Sequence, residues 1–294
     1  MKNYKYQLDK SSRKFICPNC SKKTFVKYVD NETNQYIDDI HGRCDREQKC
    51  KYFHKPSGNS TYTYNYVDVK PIKPSYITLN HQNNSLSNYE INPLANYLFT
   101  KFDENDVRNI LSKYKVGTSK WSNGSTVYWQ TDSSGNIRSG KVIPYDLKTG
   151  KRRKKSDGKS LINWVHNLLK IENYNLEQCL FGLHLLNNET KRVGIVESEK
   201  TAVVLSLSLP QITWMATGSL LGFKEELLKP LKNNDIVAFP DNGGYDNWKQ
   251  QASKLNNEGY QIVVSDILEN NQYHSGIDLA DLILETKNKS RKER

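Results

Sequence analysis

Residues 193–206 read VGIVESEKTAVVLS. An apolar run with no charge leads into an acidic turn and then into a second apolar stretch. A short run of that kind suits a strand buried on both faces, and the segment after it suits a helix crossing back over that strand. The alternation continues. Residues 211–215 read as a strand, followed by the small-residue turn ATGS. Then come a helix over 223–231, a strand over 236–239, a helix over 246–256, a strand over 261–264 and a last helix over 279–285. This order predicts an α/β unit over 191–287, a mainly parallel sheet with flanking helices. Functional groups in such sheets gather at the carboxyl ends of the strands.

Carboxylates recur at those ends. Glu197 follows the strand 193–196, Asp241 follows 236–239 in FPDNGGYD, and Asp278 and Asp281 lie in GIDLAD beyond 261–264. Hard oxygen donors at one sheet edge are what Mg2+ or Mn2+ takes, and such a cation organises phosphoryl transfer. Any one of these acids alone would as readily cap a helix N-terminus. Their recurrence at three junctions in one register points to a divalent metal.

Upstream the pattern changes. Residues 89–190 predict a basic mixed α+β domain. Helical spacing joins Leu94, Tyr97 and Leu98, then Val107, Ile110 and Leu111. The strands STVYWQTD and IRSGKVIPYD follow, and then a helix over 161–170. This domain holds Lys141, Lys148, Lys151, Arg152, Arg153, Lys154, Lys155 and Lys159, with Trp121, Tyr128, Trp129 and Tyr145 nearby. Cations for phosphates beside planar rings for bases are how a single strand is held; a solvated loop over core aromatics is the other reading. Residues 56–88, rich in Pro, Ser and Asn, read as a linker.

Four of the five cysteines fall in the first 50 residues. Cys17 and Cys20 form CPNC; Cys44 and Cys50 lie in HGRCDREQKC. A CxxC knuckle puts two thiolates on one turn, and a second pair beyond intervening strands closes a tetrahedral Zn2+ site. Residues 10–55 thus predict a zinc β-ribbon with a structural zinc. His41 and His54 are competing ligands.

Together these segments resemble a known family. VGIVESEKTAVVLS, ATGS, IVAFPDNGG and GIDLADLIL resemble the Toprim domain of DnaG-type bacterial primases, topoisomerases and some nucleases. Ribbon, basic domain and Toprim in that order resemble DnaG-like primases, and the whole is closer still to primase-like proteins of bacterial mobile elements. The resemblance implies that Glu197 serves acid–base chemistry and that Asp241 is the first acid of an Asp-x-Asp metal motif. Gly243 stands where the second acid belongs, which leaves Asp246 to supply that carboxylate and puts full two-metal activity in doubt. Asp278 and Asp281 fit the downstream acids. Lys200, near Glu197, is placed either to contact phosphate or to sit solvated on its helix.

The net charge of +11 and pI near 9.2 favour a polyanionic partner. No stretch reaches the roughly 20 apolar residues of a membrane span, and the charged start lacks the apolar core of a signal peptide, so a cytoplasmic protein is expected. No Walker A sequence occurs, so a replicative helicase would be a separate partner. Three functions remain open: a primase making short RNA on single-stranded DNA from nucleotides, a non-catalytic nucleic-acid-binding protein, and a metal-dependent nuclease.

Overall fold

The computed structural model describes residues 5–11, 13–56, 73–269, 273 and 276–292. Part of the segment read as a linker, 57–72, lies outside them. The chain divides into two units, Met1–Lys73 and Pro74–Arg294.

In the first unit, β1 (Tyr6–Leu8), β2 (Phe15–Ile16), β3 (Lys23–Asp30), β4 (Gly42–Cys44) and β5 (Phe53–His54) form an antiparallel sheet in the order β1-β3-β4-β5, with β2 also on β3. A helical turn, α1 (Glu47–Cys50), precedes β5. The core is small: Phe25 with Cys17, Cys44 and Cys50, flanked by Phe15, Cys20 and Tyr52. So little apolar surface leaves a metal to do much of the stabilising.

The second unit opens with α2 (Leu79–Ser85), within the stretch read as linker, then α3 (Pro93–Phe99) and α4 (Glu104–Lys113). The sequence sets both of the latter starts. Asn92 and Asp103 cap α3 and α4, each accepting two backbone N–H bonds, and Pro93 occupies the first turn where its missing N–H costs nothing. Strands β6 (Val116–Ser119), β7 (Ser125–Thr131), β8 (Ile137–Ile143) and β9 (Asn163–Trp164) form an antiparallel sheet in chain order, followed by the short α5 (Val165–Leu168). The helix expected over 161–170 is thus a two-residue strand and a single helical turn.

Next come β10 (Arg192–Val196), α6 (Glu199–Ser208), β11 (Thr213–Ala216), α7 (Glu225–Leu228), β12 (Asp235–Phe239), α8 (Tyr245–Asn257), β13 (Gln261–Val264) and α9 (Leu279–Lys292). The sheet is parallel throughout, in the order β11-β10-β12-β13. It has the α/β architecture expected, with β10 and β12 central. Both faces are covered. Val193, Ile195, Met215 and Ile236 pack with α7 and α8 through Leu228, Trp248 and Leu255. Val196, Trp214 and Ala216 pack with α4, α6 and α9 through Leu111, Val203 and Leu284. Because α6 is enclosed on nearly all sides, Val204→Ala would cost about 1–3 kcal/mol.

The middle sheet shares that second cluster through Val116, Tyr128, Ile143 and Tyr145, and its other face packs Val127, Trp129 and Val142 against Val165. This shared core fixes the middle sheet against the acidic end of the parallel one. Among the described residues no helix is long and apolar enough to cross a membrane.

Candidate functional site

The first candidate site is the cysteine cluster. CPNC folds as a tight turn between β2 and β3, closed by bonds from Cys17 N to the Lys22 carbonyl (2.8 Å) and from Ser21 N to the Cys17 carbonyl (2.9 Å). Cys44 ends β4 and Cys50 ends α1. The four Sγ atoms lie within 4.8 Å of one another, with Cys17–Cys50 at 3.6 Å and Cys20–Cys44 at 3.9 Å. The edge of a ZnS4 tetrahedron is about 3.8 Å, so the donor set fits Zn2+ with no open position. Asn19 Nδ2 (3.6 Å to Cys50 Sγ), Thr24 Oγ1 (3.2 Å to Cys44 Sγ) and Arg46 N (3.4 Å to Cys44 Sγ) are placed to donate to thiolates. His41 and His54 stand outside the set, ring against ring at 4.7 Å, with His41 Nδ1 bonded to Asp38 (2.6 Å).

The second site is the edge where β10 and β12 end. Their register pairs Val196 with Phe239, so Glu197 and Asp241 leave the sheet side by side. The Asp241 backbone N–H donates to Glu197 Oε1 at 3.2 Å. Burial, then the neighbouring Glu197 and Asp278, push the Asp241 carboxyl up to about 8. Burial also raises Glu197, while the Arg152 guanidinium opposes the rise. Two half-buried carboxylates of this kind suit a hard cation. Among the described residues, however, no three carboxylates at this edge bring oxygens within 4.8 Å of one another.

The other acids are engaged elsewhere. Asp278 and Asp281 cap α9 reciprocally: Asp281 N donates to Asp278 Oδ1 (2.9 Å) and Asp278 N to Asp281 Oδ2 (3.4 Å). Thr201 Oγ1 donates to Asp278 Oδ2 at 2.7 Å, and Lys200 Nζ lies 3.4 Å from Asp281 Oδ1. Lys200 is therefore an ion-pair partner. Burial works against its ammonium, but Asp278 and Asp281 outweigh it and raise its pKa. Asp246 is exposed on the first turn of α8. Gly243 has φ +89°, a left-handed value suited to glycine, and its N–H donates to Glu269 Oε1 (2.8 Å).

The cations sort into two groups. Lys148, Lys151, Arg153, Lys154 and Lys155 are exposed, on a hairpin held by Tyr145–Arg152 and Lys154–Ser160 bridges. Lys141, by contrast, is buried: its Nζ donates to Glu199 Oε1 (2.9 Å) and to the Gly218 carbonyl (2.8 Å). Arg152 reaches Ser198 Oγ at 3.0 Å. The aromatic platform expected beside these cations is largely core. Tyr128, Trp129 and Tyr145 are buried because both faces of the middle sheet are covered, and only Trp121 is partly open. Sequence reading missed Glu199, because an acid in a helix's first turn looks like any other favourable N-terminal charge.

A zinc beta-ribbon finger family matches residues 4–65. No curated protein matches the chain. Among solved structures, the chain is similar to the primase fragment of the bacteriophage T7 primase-helicase protein, at 16% identity and TM-score 0.45 over 95% of this chain and 97% of that one. It is also similar to the E. coli primase catalytic core, at 12% identity and TM-score 0.45 over 73% and 77% of the two chains. A DnaG primase catalytic domain bound to single-stranded DNA is similar at 13% identity and TM-score 0.40, over 73% and 78%. The model of a domain of unknown function, DUF6371, matches residues 92–242, from the α3 cap to the Asp241 loop and just over half of the 294 residues; the chain belongs to the DUF6371 family.

Proposed function

We propose that the chain is a DNA-primase-like protein that binds single-stranded DNA and joins nucleotides into short RNA with a divalent metal. The observation that carries this reading is the meeting of Glu197 and Asp241 at the carboxyl edge of two paired parallel strands, with Arg152 acting on both. In this reading Glu197 and Asp241 would hold Mg2+ or Mn2+, which supplies charge neutralisation for phosphoryl oxygens. Glu197, raised by burial, is suited to accept the proton of an attacking hydroxyl at its carboxylate. The exposed cations of the hairpin would hold the phosphates of the strand. Zn2+ would stay structural, in the ribbon.

One observation favours a second reading. Asp278 and Asp281 spend their oxygens on a helix cap, Thr201 and Lys200, and Gly243 brings no acid. A metal held by two carboxylates alone would be weak, as in a nucleic-acid-binding protein that keeps the fold without the chemistry. Incubating the protein with single-stranded DNA, labelled nucleotides and Mn2+ separates the two. The primase reading expects short RNA products, lost at least about 100-fold in Glu197→Gln while DNA binding persists. Cleavage in place of synthesis would make it a nuclease. Neither product, with DNA binding intact, would leave the binding protein.

A further inference from the structure

Glu199 is only 1% exposed although it is ionisable, and among the described residues its Oε2 has no hydrogen-bond partner. Beside it, Ser198 occupies the N-cap position of α6 yet makes no capping bond. Two cations reach these residues, one from β8 and one from the hairpin beyond it. Lys141, on β8, gives its ammonium to Glu199 Oε1 and to the Gly218 carbonyl. Arg152 gives Nη2 to Ser198 Oγ and stands in an ion pair 3.9 Å from Glu199 Oε2. Tyr145 faces Arg152 across its bridge, and the Tyr145 hydroxyl accepts from Tyr128 at 2.9 Å. The turn after β11 makes room for the pair: Gly218 has φ +82°, and a Cβ there would come within 3.2 Å of Glu199 Oε1 and 3.4 Å of Lys141 Nζ.

A buried ion pair gains little stability over an apolar pair of the same volume. What this pair does is fix geometry. Arg152 is the member of the basic run drawn inward, while Lys151, Arg153, Lys154 and Lys155 make no ion pair with Glu199. Its charge is felt by both Glu197 and Asp241. We propose that Glu199 is a positioning residue: with Lys141 it forms a buried clamp that commits Arg152 to the acidic edge, where the guanidinium competes with a bound divalent cation. The side chain keeps 37% exposure, open to an anionic oxygen. The competition rests on the reading of that edge as a metal site; the clamp itself does not.

The test uses the full chain and two readouts. The double variant Lys141→Met, Glu199→Gln removes one charge of each sign, so the net charge is unchanged and the space stays filled. NMR relaxation of the Arg152 Nε–Hε group reports its order, and Mn2+ titration reports the competition. Arg152 should be rigid in the wild type and mobile in the double variant. Arg152→Gln should tighten Mn2+ binding about fivefold, the effect of removing one partly screened charge, and the double variant should tighten it in the same direction. Glu199→Gln alone, in which Lys141 keeps the Gly218 carbonyl, serves if the double variant does not fold, and gives a test of sign. Loss of a nearby negative charge would by itself weaken Mn2+ binding, whereas release of Arg152 tightens it. Added to Arg152→Gln, the same change should tighten nothing further. An Arg152 that stays equally ordered in either clamp variant overturns the clamp, and Mn2+ binding that Arg152→Gln leaves unchanged or weakens overturns the competition. If the wild type binds no Mn2+, the metal reading falls and the Arg152 measurement still decides the clamp.

Discussion

Asp241 carries the largest electrostatic tension at the acidic edge. Its carboxyl is pushed up to about 8, first by burial and then by Glu197 and Asp278. An unfolded aspartate titrates near about 3.9, so the folded state binds the proton more tightly. The stabilisation from that proton is full below about pH 4 and is lost as pH rises through about 8. Metal-free protein should therefore lose stability between about pH 4 and pH 8. Asp241→Asn, which mimics the protonated form, should remove that part of the loss. Its melting temperature at pH 8 should exceed the wild type's, by about 2–4 °C per kcal/mol recovered. Equal melting temperatures at pH 8 in chelator would contradict the assigned tension. Glu197 and Asp241 were legible in sequence because each directly follows an apolar run, and a strand's end fixes where the next residues emerge. The bond from Thr201 to Asp278 was not, since the two are 77 residues apart and the packing of α6 against α9 brings them together.

At the scale of elements, the ribbon and the parallel sheet draw on separate cores. The cluster around Phe25 involves only residues 15–52, while the clusters of the second unit begin at Ile77. Cys17→Ser should thus lower zinc content below one per chain and open residues 1–73 to proteolysis, with the melting of 74–294 unchanged. Full zinc retention in that variant would refute the four-thiolate site. CxxC spacing made the ribbon readable, and apolar runs made β10, β12 and β13 readable, because both signals are local. Helix α2 was hidden for a physical reason. Its sequence, LNHQNNS, has no apolar period, and it is anchored by polar bonds instead: Gln82 Nε2 to Thr131 Oγ1 (2.9 Å) and Trp129 Nε1 to Ser85 Oγ (2.8 Å). Tyr128 and Trp129 of β7, with Tyr145 just beyond β8, looked like a binding platform because strand alternation shows which residues share a face, not whether another layer covers it.

For the whole molecule, a net charge of +11 coexists with a carboxylate edge. In the proposed reading, the exposed hairpin cations release counterions from a bound strand. Neutralising Arg153, Lys154 and Lys155 together should reduce the slope of log K against log salt for single-stranded DNA by about two, at roughly 0.7 per phosphate contact. An unchanged slope would place the strand elsewhere. The central claim, that the edge formed by β10 and β12 holds a divalent cation, is tested most directly by Mn2+ titration of the zinc-loaded protein followed by electron paramagnetic resonance. One Mn2+ per chain is predicted for the wild type, lost in the double variant Glu197→Gln, Asp241→Asn with zinc content and fold intact. Mn2+ binding of equal affinity in that variant, or none in the wild type, would contradict the claim.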